Sequence, residues 1–333
     1  MKFSEMGSPS MIERVGVLFG LLVLILLFGA APVSAELEPT LSEAQREASV
    51  ESWDRLGVDR PRRYARAELA VGQLYHGLFF GLQACSLFDC DQPLAHSGLP
   101  VLGGGIGLGG SFLVARDGIT TGQARAINSG SIWGAWTGFA LMGVRGDYGG
   151  TTVVRTMMAT QLLGTGAGYL LSERLRPTGG DVRMVNLAGF WSGIYYVVFA
   201  EGILQLNQSD RSLGTGLLVS TYLGAILGSQ IALYRPMSAS RVALIALSGF
   251  VGAHVGSALA YSRGDGEYPD SAMNDRATAS MTLVGITAGL GAGAILTRNF
   301  DRGEPAYERV SISLSVLPSH DGTGALATLS GQF

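Results

Sequence analysis

Each of eight apolar segments in this chain contains Gly-x-x-x-Gly: Gly77/Gly81, Gly105/Gly109, Gly130/Gly134/Gly138, Gly164/Gly168, Gly189/Gly193, Gly224/Gly228, Gly252/Gly256 and Gly285/Gly289/Gly293. Residues four apart share one face of a helix, so such a pair makes a bare ridge on which a second backbone can rest. Glycine supplies 49 of the 333 residues, and composition alone would place only about half a pair in each segment. About thirty of these glycines fall inside the segments, at a cost of roughly 0.8–1 kcal/mol each relative to alanine. Helices so built fray in isolation. They hold where a neighbouring backbone returns dispersion energy, or where a bilayer forces each peptide group to bond within its own helix. The pattern predicts an all-α, membrane-type bundle with glycine-zipper packing.

The segments run roughly from Arg66 to Gln83, Leu99 to Ala115, Gln123 to Val144, Thr152 to Leu171, Val182 to Leu204, Ser212 to Leu233, Arg241 to Tyr261 and Arg276 to Thr297. They are too long for ordinary strands and lack period-two alternation. Short loops rich in Gly, Pro, Asp, Ser and Arg separate them, as helix boundaries should. The segments also repeat in pairs. Arg66, Arg125, Arg183 and Arg241 each open the first helix of a pair, at steps of 59, 58 and 58 residues. The run 124–134 matches 182–192 in its Arg, Asn and Trp. Self-similarity at a fixed period marks a repeat architecture, here four tandem helical hairpins over 64–300.

The ends differ from this body. Lys2 and Arg14 precede an apolar run from Val15 to Ala31, and Val33 and Ala35 form a small-x-small cleavage site. Residues 1–35 therefore read as a signal peptide, and 36–63 as a polar N-terminal arm. Export favours a disulfide between Cys85 and Cys90, the only two cysteines. In the tail, 301–333, Val310, Ile312, Leu314 and Val316 alternate with serines, and a second alternating run ends at Phe333, so a short C-terminal β-hairpin is expected. That closing run resembles the final strand of bacterial outer-membrane barrels, although two strands cannot close a barrel.

Little chemistry is legible. The formal charge of −3 and the absence of a basic stripe argue against a nucleic-acid partner. The run Gly103 to Gly110 lacks the preceding strand, lysine and ribose-binding carboxylate of a nucleotide loop. The four histidines show no metal-ligand spacing, and no nucleophile stands at convincing distance from a base. No catalytic, cofactor or metal site is expected. Ionisable groups inside apolar helices are the exceptions worth following, because they are costly at membrane depth. Glu201, His254 and His76 are candidates for a polar seam between hairpins. The repeat-start arginines Arg66, Arg125, Arg183 and Arg241 oppose the helix dipole, so their recurrence implies either pairing with carboxylates such as Asp117 and Asp181 or binding of lipid headgroups. Trp133, Trp136 and Trp191 suit either interfacial anchoring or core filling.

Charge and export disagree about topology. The loops holding Arg116, Arg174, Arg176 and Arg235 share one face, which the positive-inside rule would place in the cytoplasm. The export signal puts the same face outside. The sequence thus points to an exported, non-enzymatic component of a bacterial cell envelope, with a structural, scaffold or assembly role. The alternative is a small-solute transporter or channel built from tandem repeats. Its expected partners are membrane lipid and a second copy or another envelope protein.

Overall fold

The computed structural model describes residues 63–88, 93–146, 150–204, 209–262, 272–301, 310–319 and 322–331. The expected signal segment lies outside these residues, as do the polar arm up to residue 62 and Cys90. Eight α-helices make up the body: α1 (Arg63–Leu87), α2 (Pro93–Val114), α3 (Thr121–Arg145), α4 (Gly150–Leu175), α5 (Gly179–Val197), α6 (Asp210–Tyr234), α7 (Ala239–Ser262) and α8 (Ala272–Leu296). A π-helical turn, Val198–Ile203, prolongs α5. A separate compact unit contains two strands, Val310–Ser319 and Gly322–Gly331, paired in one sheet.

Local signals explain where the helices begin. Thr120 Oγ1 accepts from the Gln123 amide at 3.1 Å while Gln123 Oε1 accepts from the Thr120 amide at 3.0 Å, a reciprocal cap that starts α3. Thr178 and Asp181 make the same cap for α5, and Ser238 Oγ accepts from the Arg241 amide as α7 begins. Gly146 ends α3 at φ 68°, a left-handed conformation that suits a residue without Cβ. One boundary departs from expectation. Helix α2 starts at Pro93, well before Leu99, and keeps Pro100 in its interior.

The helices pair as α1/α2, α3/α4, α5/α6 and α7/α8. The first helices α1, α3, α5 and α7 form a row, each packed on the next. Each second helix lies on its own first helix and, from α4 onward, also on the first helix of the preceding hairpin. Helix α8 meets that preceding helix through the π turn.

Within a hairpin the contact is backbone on backbone. A Cβ placed on Gly77 would strike the carbonyl of Gly103, and one on Gly103 would strike that of Gly77. Gly130 and Gly164 oppose each other in the same way in the second hairpin, as do Gly252 and Gly285 in the fourth. In the third hairpin a Cβ on Gly228 would lie 2.9 Å from the Met184 carbonyl oxygen. Helix α2 corrects the sequence reading. Its contact ridge is Gly103/Gly107, whereas Gly105 and Gly109 face open space.

Two apolar clusters seal one end of the bundle. Ala65, Leu69, Ala115, Ile119, Ala124 and Ile127 join the start of α1, the end of α2 and the start of α3. Met184, Ala232 and Val242, with Leu187 and Met237 packed on them, do the same for α5, α6 and α7. Both clusters join the start of one first helix, the end of its second helix and the start of the next first helix, so one packing solution recurs.

Candidate functional site

The polar side chains of the body collect at the joints between hairpins. Asn128 on α3 is the first example: Gln73 Nε2 donates to its Oδ1 at 2.8 Å, and its Nδ2 donates to the Glu68 carbonyl at 3.1 Å. One repeat later Asn186 on α5 does the same work. Trp133 Nε1 donates to its Oδ1 at 2.8 Å, and its Nδ2 donates to Ser129 Oγ at 2.7 Å. Each asparagine thereby fastens its helix to the preceding first helix. At the third joint the corresponding residue is Leu244, and the indole N–H of Trp191, the counterpart of Trp133, is buried without a partner. Ring packing takes over there, with Trp191 and Phe250 centroids 4.8 Å apart.

A second contact recurs between each first helix and the following hairpin's second helix. Gln161 Nε2 donates to the His76 carbonyl at 3.3 Å. The Thr137 and Tyr222 hydroxyls lie 2.5 Å apart, and those of Tyr195 and Thr287 lie 2.6 Å apart. Threonine and tyrosine have exchanged sides between these last two joints, so the bond survives although its chemistry is reversed.

The repeat-start arginines serve the same framework. Arg125 is buried, and its Nε donates to Glu68 Oε1 at 2.8 Å. Gly179 of the third hairpin lies against its guanidinium, so one cation touches three hairpins. Arg183 Nη1 donates to the Ala239 carbonyl at 3.0 Å, and Arg241 Nη1 pairs with Asp301 at 3.1 Å. Arg66 Nη2 donates to the Arg116 carbonyl at 3.3 Å. The carboxylates suggested by sequence are occupied elsewhere. Asp117 pairs with its neighbour Arg116, and Asp181 caps α5.

No known family, curated protein or solved structure matches this chain. Function must therefore be read from the geometry alone, and the geometry puts the three residues expected to share a seam on three different elements. His76 is buried in the first hairpin. Glu201 sits on the π turn after α5. His254 is exposed on α7, with Nδ1 2.9 Å from the Phe250 carbonyl of its own helix. No hydrogen bond or ion pair among the described residues joins any two of them.

Cys85 is disulfide-bonded, and Cys90 is the chain's other cysteine. Among the described residues no group of three His, Cys, Asp or Glu could hold a metal ion. The glycine-rich run suggestive of a phosphate cradle lies inside α2 as helix. The tryptophan question resolves toward packing, since Trp191 is buried and Trp133 bonds across an inner joint.

One site was missed by sequence reasoning. Gln83 on α1 is buried to 6% exposure, and neither end of its amide has a partner. A glutamine near a helix end reads as surface, and the one signal of its burial is that it stands seven residues after His76 and fourteen after Leu69, on the same helix face.

Proposed function

We propose that this protein is an exported, non-enzymatic membrane component of a cell envelope, with a scaffold or assembly role. The observation that carries the reading is where apolar surface lies. The inner helices α3 and α5 show no exposed large apolar side chain among the described residues, whereas α6 exposes Val219, Leu223, Ile226, Leu227, Ile231 and Leu233. Such a surface is inside out for water and suited to lipid. Four stretches, 97–114, 211–234, 239–262 and 276–296, are long and apolar enough to cross a membrane. Glycine-zipper packing belongs to this reading, supported by the reciprocal backbone contacts within hairpins. The C-terminal hairpin belongs to it too, as an alternating sequence that suits an envelope contact.

Separation of inner from outer membranes followed by a carbonate wash tests the proposal. Carbonate-resistant sedimentation with the outer membrane is the expected result. Release of the chain by carbonate overturns membrane embedding.

A small-solute carrier is the second reading, favoured by the unpartnered buried amide of Gln83. The two readings predict opposite results for Gln83→Leu. In a scaffold the change removes an uncompensated polar group, so unfolding midpoints stay level or rise by the equivalent of about 1–3 kcal/mol. In a carrier whose solute meets that amide, cells bearing the variant lose the wild-type phenotype while the protein stays folded.

A further inference from the structure

With Arg125, Arg183 and Arg241 bonded between hairpins or to Asp301, a different set of cations stands exposed at the ends of the second helices. Each second helix ends, within two residues, at an exposed arginine: Arg116 after α2, Arg174 and Arg176 around the end of α4, Arg235 after α6 and Arg298 after α8. Apart from the exposed Arg116 to Asp117 pair, no hydrogen bond or ion pair engages these side chains among the described residues. A cation at a helix C-terminus is favourable with the dipole, so these corners stay charged at little cost.

Beside each arginine, in the last turn of the same helix, stands a leucine turned outward. Leu113, Leu175, Leu233 and Leu296 are 73%, 70%, 75% and 83% exposed. A bare leucine next to a bare arginine, built four times at equivalent corners, is a poor surface for water. It suits the boundary of a bilayer, where leucine enters the acyl layer and the guanidinium reaches back to a phosphate.

We infer that these four Leu-Arg corners form a belt that binds the headgroups of anionic phospholipid and seats this end of the bundle on an anionic leaflet. The inference rests on the helices lying in a bilayer, as proposed above. It goes further by naming the lipid class and the face it meets.

Native mass spectrometry of the detergent-solubilised full chain, incubated with equal amounts of phosphatidylglycerol and phosphatidylcholine, provides the test. Wild type should retain phosphatidylglycerol preferentially. Each arginine changed to Gln should lower that preference about fivefold, as loss of one interfacial cation predicts. Lysine at the same five positions should preserve it, which guards against a fold defect in the glutamine variants. Arg145→Gln with Arg211→Gln, at the opposite end, should leave it unchanged.

Four results overturn the inference: no preference in wild type, full preference in the five-glutamine variant, an equal loss in the opposite-end variant, or loss with lysine. Displacement of the lipid by equimolar inorganic phosphate also overturns it, because the corners would then be free-anion sites. Release from membranes by carbonate is a different failure, one of the embedding itself. A chain that stays embedded yet shows no preference defeats only the belt.

Discussion

Gly252→Leu should destabilise the protein by about 3 kcal/mol or more, read as a fall in the thermal unfolding midpoint of the detergent-solubilised full chain. The first side-chain atom would collide with the Gly285 carbonyl, whose carbon lies 2.9 Å from the Cβ position, and with Gly289 Cα at 3.0 Å. Both neighbours are backbone in α8, so no rotamer change can make room. The helices must separate along the whole ridge, forfeiting the contacts that offset the cost of glycine in a helix. Gly291→Ala in the same α8 is the matched control. Its Cβ meets nothing within 4 Å, so stability should hold or rise by up to about 1 kcal/mol. Equal midpoints for Gly252→Leu and wild type would sink the close-packing account of the hairpins.

Glu68→Leu should be comparably severe. Glu68 and Arg125 have side-chain exposures of 12% and 9%, so the change withdraws the carboxylate from a guanidinium that water barely reaches. Breaking a buried pair by removing one partner costs about 3–5 kcal/mol, since the remaining charge keeps its desolvation penalty. Replacing both members, as Glu68→Leu with Arg125→Met, should recover most of the loss. The comparison separates the energy of the pair from the penalty of an orphaned charge. Urea or thermal unfolding of the two variants beside wild type decides it. A single variant as stable as the double variant would show that Arg125 gains nothing from Glu68.

Much of this architecture is legible in the sequence, for physical reasons that also mark where reading stops. Glycine spacing and loop composition place the eight helices and their pairing, because both are local consequences of helix geometry. Helix α2 shows the limit. With glycine at 103, 104, 105, 107, 109 and 110 it offers two ridges on different faces, and only the approach of Gly77 and Gly81 selects Gly103/Gly107. The arginines show a second limit. Their recurrence predicts pairing, yet Asp181 is drawn to the Thr178 amide by the spacing of a helix cap, while Glu68 reaches Arg125 across 57 residues. The expected seam meets a related limit. Membership of apolar helices says that His76, Glu201 and His254 are costly, but not that α1 and α7 occupy opposite ends of the row.

The paired carbonyls and glycines of each hairpin also determine how the protein can move. Each carbonyl occupies the space that only a missing side chain leaves open, so sliding one helix past its mate would soon drive a bulkier residue into the gap. The two rods are locked in register like meshed gears. Between hairpins the fastenings include rotatable groups, the Asn128 and Asn186 amides and the Thr137 and Tyr195 hydroxyls, which can re-form after small displacements. Any change of shape in this body therefore carries intact helix pairs as rigid blades, and the hinge lines run through the joints.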